Sequence, residues 1–167
     1  MIPIQLVFAE NLELNDIQNA REGSIVKYTL TFNSAPNRVG AFGFEIAYNP
    51  NMLSYQSYEL AEGFQDRFDF FQGNKKENGL LVFGGYSTSQ KIESGESGAL
   101  LIITFTVVNT SHDTITLQNL KDDFKNWSVK NGHFNPQSAI LEDIDNDGKL
   151  GLAEVIYLLQ KMTGIYR

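Results

Sequence analysis

Near its C-terminus the chain reads DIDNDGKLGLAE, Asp143 to Glu154. Counted from Asp143, the run places Asp at positions one, three and five, Gly at six, an apolar residue at eight and Glu at twelve, the pattern of a calcium-binding loop. A hard cation takes six to eight oxygens, and a short loop supplies them only when alternate side chains point inward. Asp143, Asp145 and Asp147 each offer a carboxylate oxygen, Lys149 its backbone carbonyl and Glu154 two oxygens. Gly151 at position nine offers no side chain, so a water is expected there. Gly148 permits the backbone reversal. The bidentate Glu154 suits calcium better than the smaller, stricter magnesium ion. The competing structural reading is an acidic surface turn that only caps a helix, but the full spacing argues for metal. Without metal the carboxylates repel one another, so the loop and the helix after it are expected to be partly unfolded until calcium binds.

Leu152, Val155, Ile156 and Leu159 recur at helical spacing after the loop and predict an amphipathic helix whose apolar face needs a surface to dock on. That surface is either the chain's own preceding domain or another protein. Calcium hands ordinarily pair, yet no second loop is present, and Pro136 leaves little room for an entering helix. The unit is a loop and an exit helix only.

The elements upstream have a different grammar. From Ile4 to about Asn131 short runs alternate with period two and are broken by Gly, Asn, Ser and Pro. Val26, Tyr28, Leu30 and Phe32 share one face of a strand, as do Phe42, Phe44, Ile46 and Tyr48, then Leu101, Ile103, Phe105 and Val107, then Ile115 and Leu117. Further strand candidates are Gln5–Phe8, Met52–Tyr58, Phe68–Gln72, Leu80–Gly84 and Phe124–Lys130. This predicts a mainly β fold, an antiparallel sandwich or jelly roll of about nine strands over residues 1–135, with a calcium loop and α-helix over 136–167.

Composition narrows the function. The 167 residues carry a formal net charge of −7 and a pI near 4.8, which argues against nucleic acid or an anionic membrane as partner. Residues 142–154 hold five acids against one base, a net −4 and more than half of that total. With no cysteine, disulfides, zinc–thiolate sites and thiol nucleophiles fall away. The longest apolar run, Ala99 to Val108, is too short to span a membrane. The opening MIPIQLVFAE lacks the basic and apolar regions of a signal peptide, so a secreted parent implies a mature fragment or an excised module. His112 and His133 both sit in turn-like contexts, and no nucleophile, zinc-protease or phosphate-loop motif accompanies them, so an enzyme is not expected.

The stretch GAFGFEIAYNPNMLSY (Gly40–Tyr55), with FDFFQG, GLLVFGGYS and GALLIITFTVV after it, resembles the cohesin family of nine-stranded jelly-roll modules, over roughly Ile4 to Phe134. The segment from Asp143 resembles one half of a dockerin, the calcium-dependent partner that cohesins bind; it departs from one in having a single loop and in Glu154, where dockerins usually carry Asp. The resemblance implies a non-catalytic adhesion or scaffold module, extracellular or on the cell surface, that binds a dockerin-like or cohesin-like partner or a second copy of itself. It also implies that one sheet forms the binding face, with Asp69, Phe71, Phe83, Tyr86 and Ser87 as contact candidates. The alternative is a carbohydrate-binding module that uses Phe64, Phe68, Phe70, Phe71 and Tyr86 as stacking surfaces, with Trp127 in the core.

Overall fold

A computed structural model describes residues 11–135 and 151–162. The chain divides into two units, Met1–Asn135 and Pro136–Arg167. In the first unit the strands are β1 (Leu12–Leu14), β2 (Ile25–Phe32), β3 (Ala41–Ala47), β4 (Leu53–Leu60), β5 (Phe70–Glu77), β6 (Leu80–Tyr86), β7 (Gly98–Val107), β8 (Asp113–Asp122), β9 (Val129–Lys130) and β10 (Gly132–Phe134). They form two sheets, in the orders β4-β7-β2-β1-β9 and β10-β8-β3-β6-β5. Pairing is antiparallel as expected, except that β1 runs parallel to β9.

Alternation explains the layers. The inward sets predicted for β2, β3, β7 and β8 are all buried. Their inner faces meet as an aromatic-rich core, in which Phe42 lies 4.8 Å from Phe124 and Phe44 lies 5.2 Å from Phe83 between ring centroids. Each such ring withdrawn from water contributes about 2–3 kcal/mol before the cost of ordering it. Trp127 is in this core as expected, and its indole N–H donates to Asn37 Oδ1 at 2.8 Å.

Bulges adjust the pattern locally. Between β2 and β7 the register slips at Leu30/Thr31, so Leu100 and Leu101 are both buried although they are adjacent in sequence. Between β5 and β6 it slips at Lys75/Glu77, at the far end of an edge strand. The bulge and the charges of Lys75 and Lys76 together discourage another strand from pairing there. An Asn78-Gly79 turn closes the β5–β6 hairpin, with Gly79 at φ 90° where a side chain would meet the Tyr48 carbonyl.

The strands differ from expectation in two places, and a third lies outside the described residues. Leu12–Leu14 is a short strand that the alternation did not reveal. Phe124–Lys130 is mostly a turn whose last two residues form β9, because Phe124 and Trp127 both enter the core three residues apart, a spacing that a continuous strand cannot provide. The candidate Gln5–Phe8 lies outside the described residues. In the second unit, α1 (Leu152–Met162) is the helix predicted from the apolar spacing.

A candidate recognition face and a calcium segment

The strand registers set out the outer surface of the β8-β3-β6-β5 sheet row by row. Phe70, Tyr86 and Ala41 stand side by side, as do Gln72, Gly84, Gly43 and Lys121, and then Asn74, Val82, Glu45 and Gln118. Glycines at the centre make this surface low. A Cβ placed on Gly84 would come no nearer than 3.5 Å to anything, the Phe42 carbonyl oxygen. A depression of about 230 Å³ lies among Phe70, Gln72, Asn74, Val82 and Gly84.

An aromatic pair borders this low ground. The rings of Phe70 and Tyr86 stack with centroids 5.8 Å apart and planes 19° from parallel. They remain 46% and 48% exposed, so two large rings are held rigidly against each other in solvent. On the other side the Glu45 carboxylate accepts from the Asn119 and Gln118 amides, which fixes a negative charge beside Lys121. The outer surface of the opposite sheet differs: Lys27, Thr29 and Thr31 on β2 lie beside Thr104 on β7 and Glu59 on β4, with a Lys27–Glu59 ion pair at 3.4 Å. That face is mostly polar, although Ile25 at the start of β2 is 69% exposed on it. The first suits a partner, since rigid aromatic side chains around a shallow floor are the usual anchors of a protein interface.

The predicted contact residues divide on this geometry. Tyr86 faces outward. Phe83 does not: it is 2% exposed and packed against Phe44, Tyr58 and Phe71. Phe83 and Tyr86 are three residues apart on one strand, so period two puts them on opposite faces. Phe71 is half-buried for the same reason, with its neighbour Phe70 taking the outer position. Ser87 follows the strand into the interior, is 3% exposed, and accepts the Gln90 N–H at its hydroxyl. Asp69 is exposed just before β5, and its Oδ2 accepts the Thr88 N–H at 2.8 Å and the Thr88 hydroxyl at 2.6 Å. Those bonds hold its carboxyl below the ordinary range, the hydroxyl contributing most. Of the stacking candidates, Phe64 is buried, Phe68 and Phe71 are half-buried, and only Phe70 and Tyr86 are largely exposed. Phe70, Gln72, Val82 and Gly84 share the outward face with Tyr86, and stepping back by twos from Tyr86 along β6 reaches Gly84 and Val82.

A clasp positions the start of β5. Arg67 donates to both Glu96 oxygens and, at 2.6 Å, to the Lys91 carbonyl, while its guanidinium lies 4.6 Å above the Phe64 ring. The hydrogen bond between them lowers the Glu96 carboxyl and raises the Arg67 guanidinium. The loop carrying Phe68 and Asp69 is thereby tied to the loop before β7.

Asp143, Asp145, Asp147 and Lys149 lie outside the described residues, and Glu154 falls within α1. The donor set itself, carboxylates and a backbone carbonyl with no nitrogen or sulfur, fits calcium. Among the described residues no group of acidic or imidazole side chains is gathered closely enough to hold a metal. On α1, Leu152, Val155, Ile156 and Leu159 are exposed. No helix among the described residues is long and apolar enough to cross a membrane. His112 and His133 are exposed, and His133 Nδ1 lies 3.3 Å from the Thr114 hydroxyl.

Comparison with curated proteins returns no match. Solved structures are similar in fold: a non-cellulosomal cohesin from the archaeon Archaeoglobus fulgidus, 20% identical over 74% of this chain and 88% of that one, has a TM-score of 0.60. The sixth cohesin of Acetivibrio cellulolyticus scaffoldin B, solved in complex with a mutant Cel5 dockerin, is 17% identical over 77% of this chain and 99% of its own, with a TM-score of 0.61. The seventh ScaB type I cohesin of Pseudobacteroides cellulosolvens is 20% identical over 74% and 88%, also at 0.61. The sequence matches the cohesin domain family over residues 11–137, well over half of its length, and the chain therefore belongs to the cohesin family.

Proposed function

We propose that this protein is a non-catalytic recognition module whose β8-β3-β6-β5 outer face binds a dockerin-like protein partner. The observation that carries the reading is the exposed Phe70–Tyr86 stack beside the low floor of Gly43 and Gly84. Cohesin relatives mediate protein–protein interaction, and several were solved with dockerins bound. A floor without side chains lets a partner's backbone approach closely, and the flanking rings give it an apolar anchor.

In the same proposal, residues 136–167 form a calcium-dependent attachment segment. Asp143, Asp145, Asp147, the Lys149 carbonyl and Glu154 hold Ca2+, and metal binding orders the loop ahead of α1. The helix then offers Leu152, Val155, Ile156 and Leu159 to a protein surface, on its own sandwich or on another chain. An extracellular or cell-surface location goes with this reading, since single calcium modules of modest affinity fill where the ion is abundant.

Light scattering of the full chain in calcium and in EDTA tests the segment. A calcium-dependent change in mass or hydrodynamic size supports docking, whereas identical profiles with no calcium heat by calorimetry contradict it.

A further inference from the structure

The two sheets end side by side at edge strands β4 and β5, and there a groove of about 530 Å³ opens, separate from the floor described above. Its lining includes Tyr58, Glu59, Gln65, Phe68, Asp69 and Phe70. The volume is within the range of sites that take a small ligand or a few units of a polymer. Its open form suits a chain passing through better than an enclosed molecule.

Both hydrogen-bonding roles are on offer. The Tyr58 hydroxyl accepts the Gly73 N–H at 2.9 Å, which leaves its own hydrogen without an acceptor among the described residues. The exposed Gln65 amide likewise has no protein partner among them and can both donate and accept. Both Thr88 bonds go to Oδ2 of Asp69, so this carboxylate is oriented by the protein while retaining acceptor capacity. Glu59 at the rim is paired with Lys27 at 3.4 Å, and Phe68 and Phe70 add ring surface.

Charge and hydrogen-bond chemistry narrow the ligand. The Asp69 carboxylate, which no cation pairs among the described residues, repels phosphates and acidic sugars. A cationic side chain would satisfy only the acceptors and would leave the Tyr58 hydroxyl hydrogen unused. A neutral polyol both donates and accepts at each hydroxyl, and its C–H face packs on aromatic rings. We infer that the groove between β4 and β5 binds a neutral oligosaccharide, with a sugar ring against Phe68 and Phe70 and hydroxyls bonded to Tyr58, Gln65 and Asp69. The inference is independent of the protein-recognition reading. Phe70 borders both surfaces, so the variants that test it leave Phe70 in place.

The experiment is a titration of the isotope-labelled full chain with cellohexaose, mannohexaose and chitohexaose to millimolar concentration, followed by amide shifts. The expected result is a saturable response to at least one of them, centred on Tyr58, Gln65 and Asp69. Gln65→Ala and Asp69→Ala should each weaken binding about five- to tenfold, with the melting temperature of the Gln65 variant unchanged. Heptalysine, run in parallel, probes the cationic alternative. The inference is overturned if none of the three sugars gives a saturable response, if the response maps elsewhere, if both variants bind as well as the parent, or if heptalysine alone occupies the groove.

Discussion

Tyr58 on the edge strand of one sheet places its hydroxyl 2.9 Å from the backbone N–H of Gly73 on the edge strand of the other. This bond joins the two layers where no strand pairing does, and it satisfies an edge donor that would otherwise need water. The Tyr58 ring packs edge-on against Phe83, with centroids 5.3 Å apart, so the same residue closes the core beneath.

Gly73→Ala is expected to destabilise the sandwich, because the new methyl group would fall against the Phe83 and Tyr58 rings inside contact distance. Overpacking of this kind costs about 1–3 kcal/mol. Tyr58→Phe keeps the ring and loses the bond, at about 1 kcal/mol. Urea midpoints for the two variants measure both, with the alanine variant the less stable.

Tyr86→Ala should weaken partner binding by about 2 kcal/mol, or roughly thirtyfold, while leaving the unfolding midpoint nearly unchanged. Phe83→Ala should do the reverse of this at the level of stability, losing about 3–5 kcal/mol because it empties the core beneath the same strand. Paired calorimetry and denaturation on each variant separate an interface residue from a core residue.

The contrast between those residues shows how far the sequence could be read. Strands such as IVKYTLTF alternate large and polar residues, so their inward sets are evident from sequence. LLVFGGY has apolar or small residues at every position, and nothing in it says whether Phe83 or Tyr86 meets solvent; the pairing of Phe83 with Gly73 and of Tyr86 with Phe70 decides it. The floor was illegible for the same reason: Gly43 and Gly84 become neighbours only through the β3–β6 register. The calcium pattern, by contrast, is local in sequence, because one short loop supplies its ligands.

Acid should loosen the start of β5. Glu96 has its carboxyl below the ordinary value of 4.5 because of Arg67. A depressed folded-state value means that the stabilisation is fully present above about pH 4.5 and is lost as pH falls through the lower folded value. Arg67 stays charged throughout. The contribution is about 1 kcal/mol, and Glu96→Gln should flatten that part of the stability–pH profile. Unfolding midpoints from neutral pH to about pH 3 test this.

Calcium should raise the helical signal of the full chain in far-ultraviolet circular dichroism, and EDTA should reverse it. Asp143→Ala with Asp145→Ala should abolish the response, since it removes two of the carboxylates from the ligand set. A parent chain whose helical signal ignores calcium would contradict the proposed attachment segment.

Partner recognition by the β8-β3-β6-β5 outer face is the proposal on which the other binding predictions depend. The most direct measurement is amide-shift mapping of the labelled chain during titration with calcium-loaded dockerins, including the Cel5 dockerin of Acetivibrio cellulolyticus and others solved with cohesins. The predicted result is a saturable response centred on Phe70, Gln72, Val82, Gly84 and Tyr86, lost in Tyr86→Ala. A response centred on Lys27, Thr29 and Thr104 of the opposite sheet, or none with any dockerin tried, would contradict recognition by this face.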